Sequence, residues 1–365
     1  MPYPHYVVFS HRTALERLRS VPPQLGRDEP LGEPFYSIPF SSKTKIALQL
    51  DLESMGIQAY PLDLLVSKEE RPTRSSRIRT HSAGLLEYPG WLMRVINRDT
   101  FTCGPELVFI QLAMKLPLID AVVLGYELCG AYSHFAGDIS GFYDRPPLTS
   151  VTAISEAISQ LEGLRGIKKA EAALRWVRDG ARSPMETVLS CCLSLPAPIG
   201  GLGFEAPELN YPVALDEAAS KRAGSKTCFV DLAWPSAQRG LEYNGSEFHL
   251  DAARDRRRIE GLEHMGWSIN TADLYEMRDF RRLWDLAGLL KGKVPRASEA
   301  SPLYKETRTL HQQLLEATRF NLGMEGALFG VDVPRGLVTY HIYEVSIEKE
   351  APSQDGSILY LPLQR

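Results

Sequence analysis

The sequence predicts an α/β (α+β) fold, a mixed sheet flanked by helices with a separate α+β domain before it. Three observations carry this. Two runs of β-type residues, Thr227–Trp234 and Arg239–Tyr243, flank the turn segment Pro235-Ser236-Ala237-Gln238, which reads as a hairpin. A helical pattern follows, with Asp255, Arg258, Ile259, Leu262 and Gly266 along one side, and then the strand-like Trp267-Ser268-Ile269-Asn270. Strand-like and helical stretches also precede Asp144-Arg145-Pro146-Pro147, which reads as a linker. The resulting plan is an N-terminal domain over 1–147, a second domain over 148–300, and a C-terminal helix and β-hairpin extension over 301–365.

The hairpin carries the chemistry. If Trp234 pairs with Arg239, Asp231 lies directly opposite Glu242 on the same face, with Cβ atoms about 4.5–5.5 Å apart. Two carboxylates there repel, and a divalent cation removes the conflict, because Mg²⁺ is held by one or two carboxylates plus water and phosphate. A structural reading stands beside it, with Asp231 capping or salt-bridging at a sheet edge and Glu242 facing solvent near Arg239. Asn244 falls two residues after Glu242 on the same face, Gly245 frees the backbone to turn, and His249 follows.

The remaining elements follow from local signals. Thr13–Arg19 reads as a short helix started by Ser10, and the segment 21–40, rich in Pro, Gly and charge, as a loop. Ile46–Leu52 and Leu62–Val66 are apolar runs of either type. Arg71, Arg74, Arg77 and Arg79 cluster in RPTRSSRIRTH; they suit phosphate contacts or a solvated, positively charged edge strand. Trp91–Asn97 alternates as a strand. Pro105–Leu116 is a helix with Pro at its first position, stopped by Pro117, and Leu118–Tyr132 is a second, buried one.

Val151–Leu164 and Lys168–Arg178 form an α-hairpin. Ser183, Pro184 and Glu186 open the next helix, where Ser-x-x-Glu is also a capping box that would bond Glu186 to the Ser183 amide. Gly200-Gly201-Leu202-Gly203 lacks the Lys and the strand–helix context of a phosphate loop. Leu274–Leu290 and Leu303–Asn321 read as helices, Leu337–Ile347 and Ser357–Leu363 as strands.

Composition bounds the function classes. The 365 residues, 44% hydrophobic and 24% charged with net charge −4, describe an ordinary globular chain without the basic excess of a nucleic-acid coat. Any DNA site is then a local basic patch. The five cysteines show no ligand spacing and fit reduced core thiols. The opening MPYPHYVVFSHR shows no signal-peptide pattern, and the apolar region Leu107–Tyr132 is broken by Lys115, Pro117 and Asp120, so no membrane span is expected and the expected location is cytoplasmic.

The ordered pattern Asp231…Glu242-Tyr243-Asn244-Gly245…His249…Asp255-x-x-Arg258-x-x-x-Leu262-x-x-x-Gly266-Trp267 resembles the very-short-patch-repair-type branch of the PD-(D/E)XK nuclease superfamily. Gly180–Glu186 resembles the helix preceding its hairpin. The resemblance covers about the middle third of the chain and implies a restriction-endonuclease-like mixed sheet. More loosely, Phe9–Leu15, Cys103–Leu107 and Glu127–Tyr132 resemble the N-terminal region of AbiEi-type antitoxin-related proteins, without an evident winged-helix module. One departure is that Asn244 stands where the superfamily has its catalytic Lys.

The resemblance implies metal-dependent phosphodiester hydrolysis. Asp231 and Glu242 would bind Mg²⁺, with Mn²⁺ as a substitute, and Glu186 would complete the carboxylate shell. His249 would act as general base or transition-state donor, its structural alternative being a histidine bonded to backbone. Arg254 and Arg257 share a helix side suited to DNA phosphates, with Arg74 and Arg77 as further contacts, while Arg258 is expected to pair with Asp255 or the core. The expected partner is DNA. A toxin or self-association partner is left open, as is an antitoxin-like or regulatory binding protein with an inactive nuclease fold.

Overall fold

A computed structural model describes residues 6–20, 29–30, 44–58, 60–66, 73–82, 88–134, 142–164, 166–244, 252–291 and 301–318. Among the described residues the fold is mixed α+β, with helices and three sheets. The chain divides into compact units Met1–Phe320 and Asn321–Arg365. The second unit lies outside the described residues, and with it the expected strands at 337–347 and 357–363.

The first sheet is built from β1 (Val7–Phe9), β2 (Glu29–Pro30), β3 (Leu62–Val66), β4 (Ile78–Ser82), β5 (Met93–Asn97) and β6 (Thr100–Cys103), in the order β2-β5-β6-β1-β3-β4. Leu62–Val66 resolves as a strand because all five side chains are buried. Trp91 and Leu92 instead belong to a 3₁₀ turn that leads into β5. Against this sheet pack α1 (His11–Ser20), longer than the expected helix, and the short α2 (Thr44–Ala47).

A helical layer follows. In α3 (Pro105–Ala113) every residue is buried, as its apolar composition on all sides requires. α4 (Leu118–Cys129) stops earlier than expected, because Tyr132 opens β7 (Tyr132–His134), which pairs with β8 (Phe142–Asp144). The segment read as a linker is therefore packed structure: Arg145 is buried and its Nη2 donates to the Glu127 carbonyl at 2.8 Å. α5 (Val151–Gln160) and α6 (Ile167–Leu174) form the α-hairpin, and α7 (Pro184–Ser194) runs against α4.

The second main sheet has the order β12-β11-β10-β9, from β9 (Glu208–Ala214), β10 (Thr227–Trp234), β11 (Arg239–Asn244) and β12 (Ser268–Asp273). β9, β10 and β11 are antiparallel neighbours, while β12 lies parallel to β11. α8 (Glu217–Ala223) joins β9 to β10, and α9 (Ala252–His264) makes the crossover from β11 to β12. Gly266, at φ +84°, turns the chain after α9 in a conformation costly for other residues.

The expected single helix Leu274–Leu290 is broken into α10 (Leu274–Arg278) and α11 (Phe280–Leu290), because Asp279 is extended and caps α11. α12 (Pro302–Ala317) packs on α4 and α7. One continuous buried cluster includes Val8, Phe109, Val188, Leu241 and Leu314, so residues of both main sheets share it. No helix among the described residues is long and apolar enough to cross a membrane.

Candidate functional site

The hairpin has the expected register: Trp234 pairs with Arg239, Ala233 with Gly240 and Leu232 with Leu241, which sets Asp231 opposite Glu242. The two carboxyls are within hydrogen-bonding reach of each other. Asp231 Oδ2 also accepts from the Tyr243 backbone N–H at 2.8 Å. The solvent-facing alternative for Glu242 does not hold, since that residue is 2% exposed.

The side chain that meets Glu242 is Arg258 of α9. Its Nη1 and Nη2 donate to the two Glu242 oxygens at 3.0 and 2.9 Å, and Nη1 also donates to the Phe229 carbonyl at 2.8 Å. Of the two expected partners, Asp255 or the core, Arg258 takes the core: a bidentate salt bridge from α9 to the buried Glu242, the geometry a planar guanidinium favours. Part of the repulsion that the sequence assigned to a metal ion is relieved by this built-in cation.

Glu186 enters from the first turn of α7, where Pro184 at the helix start and Ser183 at the cap hold the backbone. Ser183 Oγ accepts from the Glu186 N–H at 3.2 Å and donates to Glu186 Oε1 at 3.0 Å. The reciprocal bond of the capping box falls one residue early: Glu186 Oε2 accepts from the Arg182 N–H, at 2.8 Å, and not from Ser183. Asn210 Nδ2 donates to the same oxygen and to the Gly180 carbonyl, both at 2.8 Å. Asn210 sits at φ 49°, a left-handed conformation that Asn tolerates better than most residues.

Electrostatics join the three acids. Burial and then the charge of Asp231 raise the Glu186 carboxyl to about 8, against the pull of the Arg182 amide, Ser183 and Asn210. Burial and Asp231 likewise raise Glu242 to about 7, although Arg258 opposes the shift. Asp231 is raised by burial against the Tyr243 amide and Arg258. More negative charge is gathered here than Arg258 neutralises.

Hard carboxylate oxygens and surplus negative charge fit a Mg²⁺-type ion held by one or two carboxylates with water and phosphate. Among the described residues no three His, Cys, Asp or Glu side chains form a ready cage. Asp231, with Glu242 or Glu186, would be the protein's share of such a site.

Asn244 ends β11, half-buried, opposite Asp273 of β12. His249 lies outside the described residues. Arg254 and Arg257 are exposed on α9, on the same element as Arg258. Arg74 and Arg77 precede β4 of the other sheet, where the Arg77 guanidinium lies over the Tyr60 ring at 5.9 Å. All five cysteines are buried and unpaired. Asn210 and the Arg258–Glu242 bridge escaped the sequence reading. The one available signal was the Asp-x-x-Arg spacing, which puts Arg258 on the helix side facing the sheet.

The chain is 30% identical over 119 residues to uncharacterized proteins of Mycobacterium tuberculosis, one from strain CDC 1551 / Oshkosh and one from strain ATCC 25618 / H37Rv. The match spans 32% of this chain and 39% of the length of each relative. No family model and no solved structure matches the chain.

Proposed function

We propose that the protein is a metal-dependent DNA endonuclease that hydrolyses phosphodiester bonds, working in defence, repair or a mobile element. One observation carries this reading: Asp231 and Glu242 face each other across the β10–β11 hairpin with Glu242 buried, and the charge of Asp231 reaches Glu186 of α7. A divalent ion bound there supplies Lewis-acid polarisation of the phosphate and a more acidic water. Asp231 and Glu242 offer the hard oxygens, Arg258 and the Tyr243 amide orient them, and Asn210 fixes Glu186 beside them. Asn244 orients water through its amide without adding charge, so His249 takes the role of proton acceptor or donor. Arg254 and Arg257 offer exposed cations for the DNA backbone.

The resemblance to the very-short-patch-repair-type nucleases supports the same reading, as does the order of helix, hairpin, crossover helix and parallel strand. The test is cleavage of supercoiled plasmid with Mg²⁺ or Mn²⁺ by wild type, Asp231→Asn and His249→Ala. Weak cleavage, faster in Mn²⁺, absent in Asp231→Asn and steeply reduced in His249→Ala, is the expected result. No cleavage in either metal sinks the reading.

A second reading draws on the Arg258–Glu242 bridge: both Glu242 oxygens already hold a cation. On it, the protein is an antitoxin-like or regulatory binding protein whose nuclease fold is inactive. Tight DNA binding with no cleavage supports this one.

A further inference from the structure

A second charged site lies on the first sheet, and it carries the opposite sign. β3 and β4 run parallel, with Asp63 beside Arg79 and Leu65 beside His81. Residues two apart share a strand face, so Asp63, Arg79 and His81 emerge on one side. Asp63 is buried at 2% exposure, and its Oδ1 meets His81 Nε2 at 2.6 Å and Arg79 Nη1 at 3.8 Å. His81 Nδ1 in turn lies 3.3 Å from Lys115 Nζ, in the turn after α3. His81 thus lies between the Asp63 carboxylate and the Lys115 side chain, one ring nitrogen toward each. Behind it, the His11 ring stacks on His81 with centroids 3.7 Å apart. Burial, then His81 and the cations Lys115 and Arg79, hold the His11 ring uncharged, its pKa lowered to about 2.

These groups open onto a pocket of about 670 Å³ lined by Arg74, Ser75, Arg79, His81 and Lys115. Among the described residues Arg74 and Lys115 have no carboxylate within ion-pair distance. Three cations among the described residues therefore face one carboxylate, a surplus of two positive charges. The cations also strain one another: burial lowers the Lys115 pKa, Asp63 opposes this, and Arg79 and Arg74 add to it. A group arranged in this way is complete only with an anion.

The charge selects that anion. An internal phosphodiester carries one negative charge, whereas a phosphate monoester carries about 1.5–2 at neutral pH, which matches the surplus. The depression between Arg74, Ser75, Arg79, His81 and Lys115 is open to solvent, so a phosphate seated there can carry a larger group outward. We propose that this pocket binds the terminal phosphate of a nucleotide, with Arg74, Arg79 and Lys115 as its charged contacts and His81 as the residue positioning Lys115. The nucleotide is either free or the phosphorylated end of a strand, since the phosphoryl chemistry is shared. The site stands independently of the carboxylate cluster, with which it shares no strand or helix.

Calorimetric titration of the full chain tests it, with adenosine monophosphate, adenosine, inorganic phosphate, and a short oligonucleotide bearing a 5′-phosphate, a 3′-phosphate or neither. Each phosphorylated ligand that binds is expected to do so at least about tenfold more tightly than its unphosphorylated counterpart, by the strength of charge-assisted contacts. Tighter binding of the mononucleotide identifies a free nucleotide as the source, and tighter binding of an oligonucleotide identifies a strand end. Arg74→Ala and Lys115→Ala, both exposed, should each weaken binding roughly tenfold to hundredfold at unchanged melting temperature, and Arg74→Lys should recover part of it. Asp231→Asn should leave adenosine monophosphate binding intact, which separates failure of this site from failure of the nuclease reading. Equal affinity with and without the phosphate, affinity unchanged in both alanine variants, no binding at millimolar ligand, or inorganic phosphate binding as tightly as the mononucleotide would each overturn the proposal.

Discussion

The two sheets hold their charges in opposite ways. On the second sheet, Asp231 and Glu242 stand beside one guanidinium, Arg258, with Glu186 of α7 sensing the charge of Asp231, and each acid has backbone or side-chain donors. On the first, Arg74, Arg79 and Lys115 are gathered around one carboxylate, Asp63, and stand exposed at the pocket wall. The acids are desolvated, which raises their carboxyls; the cations remain in contact with water. Burial turns a like-charge cluster into a proton-binding site, while exposure leaves a comparable cluster as an ion-binding one.

The contrast is sharpest where the built-in counter-ion is removed. Arg258→Ala leaves Glu242 buried without its cation, and a loss approaching about 3–5 kcal/mol, the range for breaking a buried pair, is expected above pH 8, with a smaller loss at neutral pH, where the Glu242 carboxyl, raised to about 7, is partly protonated. Urea unfolding measures it. If the variant is as stable as wild type, Glu242 is already protonated and the bridge contributes nothing.

A smaller effect is expected in the pH profile. Glu186 and Glu242 titrate higher in the folded chain, near 8 and 7, than the ordinary carboxylate value of 4.5. The folded state therefore holds more protons between these limits, and stability falls as pH rises from about 4.5 through 7 and 8. Mg²⁺ competes with those protons, so it should raise the melting temperature more at pH 8 than at pH 6. In Glu186→Gln the slope should flatten. Thermal melts across pH, with and without Mg²⁺, decide the matter; a flat profile in wild type would remove the coupled cluster from the account.

The smallest effect concerns the exposed α9 cations. Arg254→Ala and Arg257→Ala should each weaken DNA binding uniformly across sequences and reduce the slope of log K against log salt by roughly 1, as the loss of one phosphate contact does. Fluorescence anisotropy over a salt series reads this. Slopes equal to wild type would take α9 away from the DNA.

Much of the second sheet was legible in the sequence because its signals are local. Pro235 and the lengths of the flanking β-runs set the hairpin register, and Gly266 marked the end of α9. β9 was missed because it is an edge strand carrying Pro212 and a left-handed Asn210, both of which read as turn residues. The Arg258 partner was missed because a helix pattern says which side a residue takes but not what crosses from the sheet. The basic pocket was legible only in part: Arg74 and Arg79 are sequence neighbours, but Lys115 meets His81 across 34 positions. Contacts of that range exist only once the chain has folded.

The buried helix α3 has a consequence for how the chain can be divided. It is covered by α1 on one side and by α4, α5 and α6 on others, while α4 in turn packs on α7, which meets β10. Neither sheet can be lifted away without exposing an apolar surface that has no polar face to offer water. An isolated half would therefore be sticky and poorly soluble, and limited proteolysis should yield few stable fragments cut within the helical layer. Any exchange of one half for a foreign counterpart must bring a matching cover for α3 and α4.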